Sequence, residues 1–210
     1  MRAKTMRAPA MHGPTTSCTI RPLASGDWPV IERLFGANGA CGGCWCMWWR
    51  ADKGGKSWHA AKGETNRQRF KALVEGGAVH GMIAFVGDEP VGWCNFGPRP
   101  DFPRLDRSRV LQRAAAGPVW SIACFFVKAG WRGRGVAQAL LERASAECFA
   151  RGAAEVEGYP KAVAADRGSG KAPAAFVWTG LPAMFAKAGF ARARRAPGLR
   201  PIYVRRAPAS

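Results

Sequence analysis

"FFVKAGWRGRGVA", residues 125–137, joins three kinds of sequence: the end of an apolar run, a turn carrying Gly133 and Gly135, and the start of a helical pattern. Upstream, "VWSIACFFV" (119–127) is apolar almost throughout, which predicts a central strand covered on both faces. Downstream, "VAQALLERASAECFARG" sets Val136, Leu140, Leu141, Ala144 and Cys148 on one helical side, with Gly152 as the stop. A helix that opens at such a turn directs its unpaired backbone N–H groups back towards it. The glycines permit close approach of a ligand, Arg132 and Arg134 add positive charge, and the expected occupant is an anion such as a pyrophosphate. Neither G-x-G-x-x-G nor G-K-[ST] occurs here, so the usual dinucleotide and P-loop fingerprints do not apply.

Working towards the N-terminus, "CTIRPL" alternates as a strand. In "SGDWPVIERLF", Asp27 is placed to cap a helix whose first turn accepts Pro29. "GETNRQRFKALVEGG" predicts a second helix closed by Gly76 and Gly77. "VHGMIAFVGDEPVGWCNFG" reads as a hairpin, and a polar loop is expected from Pro98 to about Gly117. Towards the C-terminus, "AEVEGY" predicts a strand, residues 166–173 a flexible stretch, "LPAMFAKAGF" a short helix and "RPIYVRR" a last strand.

The chain of 210 residues is long enough to bury one core, and 17–206 are expected to form a single domain. Residues 1–16 are expected to be a disordered basic extension and 207–210 a short tail. The formal charge of +18 suits polyanions, with basic runs near both ends; solvated tails remain the simpler account, with nucleic acid an unlikelier partner. Seven cysteines, an odd and irregularly placed set, fit a reducing cytoplasm better than a disulfide scaffold. The sequence has no apolar stretch of membrane-spanning length, and its basic start lacks the apolar core of a secretory signal, so neither export nor a membrane partner is expected.

The pattern R-x-x-G-x-A at Arg132, Gly135 and Ala137 resembles the coenzyme A pyrophosphate loop of the GNAT superfamily of acyl-CoA-dependent N-acyltransferases. The order of elements also resembles that superfamily, and so does "MFAKAGFARARR", over roughly residues 18–205. The resemblance implies an α/β (α+β) fold: a mixed, mostly antiparallel sheet of six to seven strands, helices on both faces, splayed between the fourth and fifth strands. It implies acetyl-CoA as co-substrate and no metal. Phe125, Phe126 and Val127 would pair with the pantetheine arm, and Arg132, Gly133, Arg134, Gly135, Val136 and Ala137 would hold the pyrophosphate. An N–H near Phe125 would face the thioester oxygen as an acceptor amine attacks directly. The resemblance also admits a homodimer.

The chain departs from that family in its proton chemistry. Phe185 stands where many members carry a tyrosine acid, and "VWSIACFFV" has no carboxylate base. The remaining catalytic candidates are Glu157 and Tyr159, on one face of the fifth strand, and Cys46; for Glu157 a solvated or salt-bridged surface role is the competing reading, and for Tyr159 packing.

"CGGCWCMWWR", residues 41–50, falls where the resemblance places the acceptor wall. Trp45, Trp48 and Trp49 could form an apolar or cation-binding wall, and Trp45, Cys46, Trp49 and Arg50 are candidate acceptor-binding residues, Arg50 as a fork for a carboxylate, with core covering the alternative for the tryptophans. Cys41, Cys44, Cys46 and His59 are ligand types for zinc, but their spacing is poor for it, and Cys41 with Cys44 lacks the setting of a thioredoxin pair. The expected function is N-acetyl transfer to a small-molecule primary amine. The alternatives are a protein- or ribosome-directed acetyltransferase and a non-catalytic acyl-CoA- or metal-binding module.

Overall fold

The computed structural model describes residues 17–51, 56–112, 114–115, 117–161, 178–193 and 201–207. The expected extension 1–16, the flexible stretch 166–173 and most of the C-terminal tail lie outside the described residues. The strands are β1 (Thr19–Pro22), β2 (His80–Val86), β3 (Glu89–Pro98), β4 (Val119–Val127), β5 (Glu155–Gly158), β6 (Ala191–Arg192) and β7 (Tyr203–Arg206). The α-helices are α1 (Trp28–Phe35), α2 (Lys56–Ala61), α3 (Glu64–Glu75), α4 (Pro103–Arg107), α5 (Val136–Ala150) and α6 (Pro182–Lys187). No helix among the described residues is long and apolar enough to cross a membrane.

The strands form one seven-stranded sheet in the order β1-β2-β3-β4-β5-β7-β6. Only β4 and β5 pair in parallel; every other neighbouring pair is antiparallel. Alternation along the strands supplies two apolar faces. On one, Met82, Cys94 and Ile122 meet α5 through Leu140, Leu141 and Ala144. On the other, Ile83 and Trp93 meet α1 and α3 through Ile31, Leu34, Phe35, Phe70 and Val74. The predicted apolar side of α5 is buried at all five positions. Val136, Leu140 and Leu141, withdrawn from water, contribute about 1.5–3 kcal/mol each, before chain entropy is subtracted.

Two expectations are corrected. Asp27 stands at the N-terminus of α1, but its carboxylate makes no cap bond there. It accepts instead from both terminal nitrogens of Arg21, at 2.6 and 2.8 Å, and from the Ala24 amide at 2.7 Å. An ion pair satisfies the carboxylate better than an amide alone. The segment after Pro98 is not merely a polar loop: it forms a short 3-10 turn and α4, and buries Phe102, Leu105 and Leu111 in a cluster with Ala123 of β4 and Tyr159. Its apolar residues are spaced about one helical turn apart among prolines and charges, which hid them.

Candidate active site

The turn after β4 is built as its sequence suggests. Gly133 and Gly135 have φ of 74° and 82°, a region that side-chain-bearing residues seldom adopt, and Gly135 delivers the chain into α5. No side chain caps α5, and residues 132–135, the turn that leads into it, are exposed, so the helix N-terminus opens onto an accessible turn. Arg132 donates through Nε to the Val127 carbonyl at 2.9 Å, and the Arg134 guanidinium stands 5.2 Å from the Trp131 ring. Both cations are thus tethered beside the turn.

Pairing between β4 and β5 begins at Val119 opposite Glu155 and ends at Ile122 opposite Gly158, while β4 runs on to Val127. The sheet therefore opens alongside Phe125. A segment from near the C-terminus enters this opening: the Phe125 N–H donates to the Trp178 carbonyl at 2.7 Å, and the Lys161 N–H to the Gly180 carbonyl at 3.2 Å.

Just before the opening, β4 bulges. Asn95 pairs with Cys124 and Phe96 with Ile122, so Ala123 has no partner in the ladder with β3. The extra residue reverses the alternation, turning Cys124 towards the α1 face while Ile122 stays on the α5 face. The indole N–H of Trp49 donates to the Ala123 carbonyl at 2.9 Å. Against this bulge lies a cavity of about 320 Å³, walled by Trp48, Trp49, Trp58, Phe125, Phe126 and Trp178, with Cys41, Cys44, Cys46 and Cys124 between the rings and Lys62 beside them. The cavity and the turn with Gly135 thus share the end of β4.

The description "Acetyltransferase (GNAT) family" matches residues 45–165, more than half the chain. This chain belongs to the GNAT acetyltransferase family. No curated protein matches it in sequence. Among solved structures, the protein named histone acetyltransferase HPA2 and related acetyltransferase from Corynebacterium glutamicum is 20% identical, with 93% of this chain and 98% of that one covered and a TM-score of 0.52. The PaiA N-acetyltransferase of Thermoplasma acidophilum, in complex with coenzyme A, is 14% identical over 91% of this chain and 100% of that one, with a TM-score of 0.50. A GNAT-family protein from Desulfovibrio desulfuricans gives 14% identity, 90% and 99% coverage and a TM-score of 0.50. At these identities the likeness is one of fold.

Within this GNAT fold, the candidate catalytic residues separate. Glu157 and Tyr159 share a face, as the alternation predicts, yet both are fully buried and neither lines the cavity. The surface role weighed for Glu157 is corrected: its carboxylate pairs with the Arg99 guanidinium and accepts from Ser121 at 3.3 Å, and Tyr159 Oη lies 2.8 Å from Ser121 Oγ. Arg99 also pairs with Asp106 at 2.8 Å. Burial, then the Glu157 charge, holds the Tyr159 phenol well above its ordinary range. These groups form a closed ionic knot under the sheet.

The opening motif of this GNAT chain divides as well. Trp49 and Cys46 line the cavity, whereas Trp45 packs into the core at 5.6 Å from Trp28 and 5.7 Å from Phe35. Trp48, also expected in the wall, lines it, and Trp58 and Trp178 take the place expected of Trp45. Arg50 is also absent from this wall. Its side chain is only 9% exposed, with the guanidinium 4.9 Å from the Phe102 ring and Nη2 3.9 Å from an Asp101 oxygen. It borders a separate hollow of about 650 Å³ beside α2 and α3.

Trp178, far away in sequence, could be recognised only as an isolated aromatic. Phe185 occupies the place beside the opening that the resemblance gives a tyrosine: it meets Phe125 edge-on at 6.3 Å and is fully buried. His59 is exposed on α2, and among the described residues no three ligand-type side chains converge on one point.

Proposed function

We propose that this GNAT acetyltransferase moves an acetyl group from acetyl-CoA to the primary amine of a small molecule with an apolar or cationic body. The observation that carries this reading is the aromatic cavity on the end of β4, next to the exposed turn at Gly135. The amides from Arg132 to Ala137 are assigned to the pyrophosphate, with the two arginines as counter-charges. The backbone of Phe125, Phe126 and Val127 is assigned to the pantetheine arm. The fit is supported by the uncapped start of α5, where a side-chain cap would have competed with phosphate.

In this reading the amine enters the cavity neutral and attacks the thioester carbonyl directly. The Phe125 N–H, released from Trp178, receives the developing oxyanion. The indole faces of Trp48, Trp49 and Trp58 hold an apolar or cationic body in place, by area and by cation–π attraction. Among the catalytic candidates, only Cys46 lines this cavity. With Phe185 in the acid's usual place, the departing coenzyme thiolate takes its proton from water. The free thiols fit a cytoplasmic setting.

The test is release of free coenzyme thiol from acetyl-CoA against two panels: small primary amines with aromatic or alkyl bodies, and peptide N-termini with lysine peptides. Turnover confined to the small amines is expected. Turnover with peptides alone would move the acceptor to a protein.

A further inference from the structure

Cys46 is held in an unusual setting for a thiol that needs only to fill space. Trp45 and Cys46 have φ of 42° and 52°, the left-handed region that side-chain-bearing residues seldom adopt. This turn brings Cys46 Sγ to 3.0 Å from the Trp93 indole N–H, which donates to it. Gly81, on the strand beside Trp93, makes that placement feasible: a Cβ there would lie 2.0 Å from the Trp93 ring.

Around the sulfur, buried polar groups lack acceptors. The Asn95 side chain has no hydrogen-bond partner besides this sulfur among the described residues. Arg50 Nε and Nη2 are buried without a hydrogen bond, and Nη1 reaches only the Asp101 carbonyl, at 3.5 Å. Asp101 meets this guanidinium only at 3.9 Å, so a negative sulfur would add to the balance of its buried charge. The thiol groups nearby are sorted accordingly. The Cys124 thiol beside it, then the Trp93 N–H and the Arg50 charge, hold Cys46 below the ordinary thiol range against its burial. Burial pushes Cys44 up to about 12, and contact with Cys46, then burial, keeps Cys124 protonated.

We infer that Cys46 is an acylation site: when no amine occupies the cavity, its thiolate takes the acetyl group from the bound thioester. This rests on the acetyl-CoA reading above, since Cys46 and Phe125 line the same cavity. The Cys46 sulfur attacks the carbonyl carbon and forms the new C–S bond. The bond from that carbon to the coenzyme sulfur breaks, its electron pair leaves with that sulfur, and water supplies the proton. One thioester replaces another, so free coenzyme A returns the acetyl group by the reverse path. Acetyl on Cys46 fills part of the amine's space and holds the enzyme idle.

The test is intact-protein and peptide mass spectrometry after incubation, without amine, with acetyl-CoA and separately with p-nitrophenyl acetate, an acyl donor that needs no coenzyme site. Calorimetry on the same sample reports whether acetyl-CoA binds. One acetyl group on Cys46 is expected from both donors, removed by hydroxylamine and by coenzyme A, absent in Cys46→Ser and retained in Cys44→Ala. Trp93→Phe, which deletes the donor and leaves a smaller aromatic ring, should slow acylation about tenfold and move its pH midpoint upward. Acetyl-CoA binding without an adduct from either donor would overturn the inference and leave the transferase reading intact. An adduct from the ester, with no binding of acetyl-CoA, would keep the reactive thiolate, remove the coenzyme as its donor and sink the transferase reading.

Discussion

The amide of Phe125 donates to the carbonyl of Trp178 at 2.7 Å, across the gap where β4 parts from β5. A thioester oxygen on the same amide must displace that carbonyl. Trp178 packs 5.6 Å from Trp49 and 6.4 Å from Trp48, so its withdrawal changes the surroundings of three indoles together. Saturating acetyl-CoA is expected to shift tryptophan emission to the red, and Trp178→Phe to lose most of that shift. Unchanged emission at saturation would mean that the carbonyl stays in place.

The knot of Arg99 with Glu157 is expected to govern stability rather than turnover. Glu157→Ala leaves the buried Arg99 charge to Asp106, an exposed carboxylate, so the loss should approach but not exceed the roughly 3–5 kcal/mol of an uncompensated buried charge. Replacing both, as Arg99→Met with Glu157→Leu, should recover much of it. Denaturant unfolding measures both effects. A Glu157→Gln enzyme that folds normally but loses turnover at saturating substrate would restore Glu157 as a catalytic group.

Stability in acid should depend on Asp27. The Arg21 guanidinium holds its carboxyl below the usual range, burial opposes this, and the Ala24 amide adds to the lowering. A depressed folded value means stabilisation present above the unfolded pKa of about 3.9 and lost as the pH falls through the folded value. Arg21 is 45% exposed, so the pair contributes about 1 kcal/mol or less. Asp27→Asn should unfold earlier than the wild type at neutral pH, and the difference should close below about pH 4 in thermal melts.

Gly81→Ala tests the placement of Trp93. The added methyl meets the indole ring at a distance no real contact allows, so the ring must shift. Overpacking of this kind costs about 1–3 kcal/mol. The variant should melt lower and react more slowly with iodoacetamide at Cys46. A variant equal to the wild type in both would show that Trp93 has room the structure does not reveal.

Much of the fold could be read because single elements carry their own signal. The unbroken apolar run of β4, the i, i+4 spacing on α5 and the glycines at 133 and 135 each suffice locally, and all are found as expected. The acceptor side was less legible. "CGGCWCMWWR" announces an aromatic site, but which indole faces the cavity depends on the positive φ at Trp45 and Cys46 and on the bulge at Ala123. Trp45 turns to the core for that reason. Trp178 enters the site by a long-range backbone bond that no local pattern encodes. Glu157 read as a surface residue because its partner, Arg99, comes from a segment whose buried turn looked like loop.

The central claim is that the turn at Gly135 binds the pyrophosphate of acetyl-CoA, and calorimetric titration tests it most directly. Wild-type protein should bind one equivalent. Arg134→Glu, which changes only an exposed side chain stacked on Trp131, should weaken binding at least tenfold, and Gly135→Val, strained at φ 82°, should abolish it. Circular dichroism checks that both variants are folded. Absence of binding by the wild type, or equal binding by all three, would contradict the account.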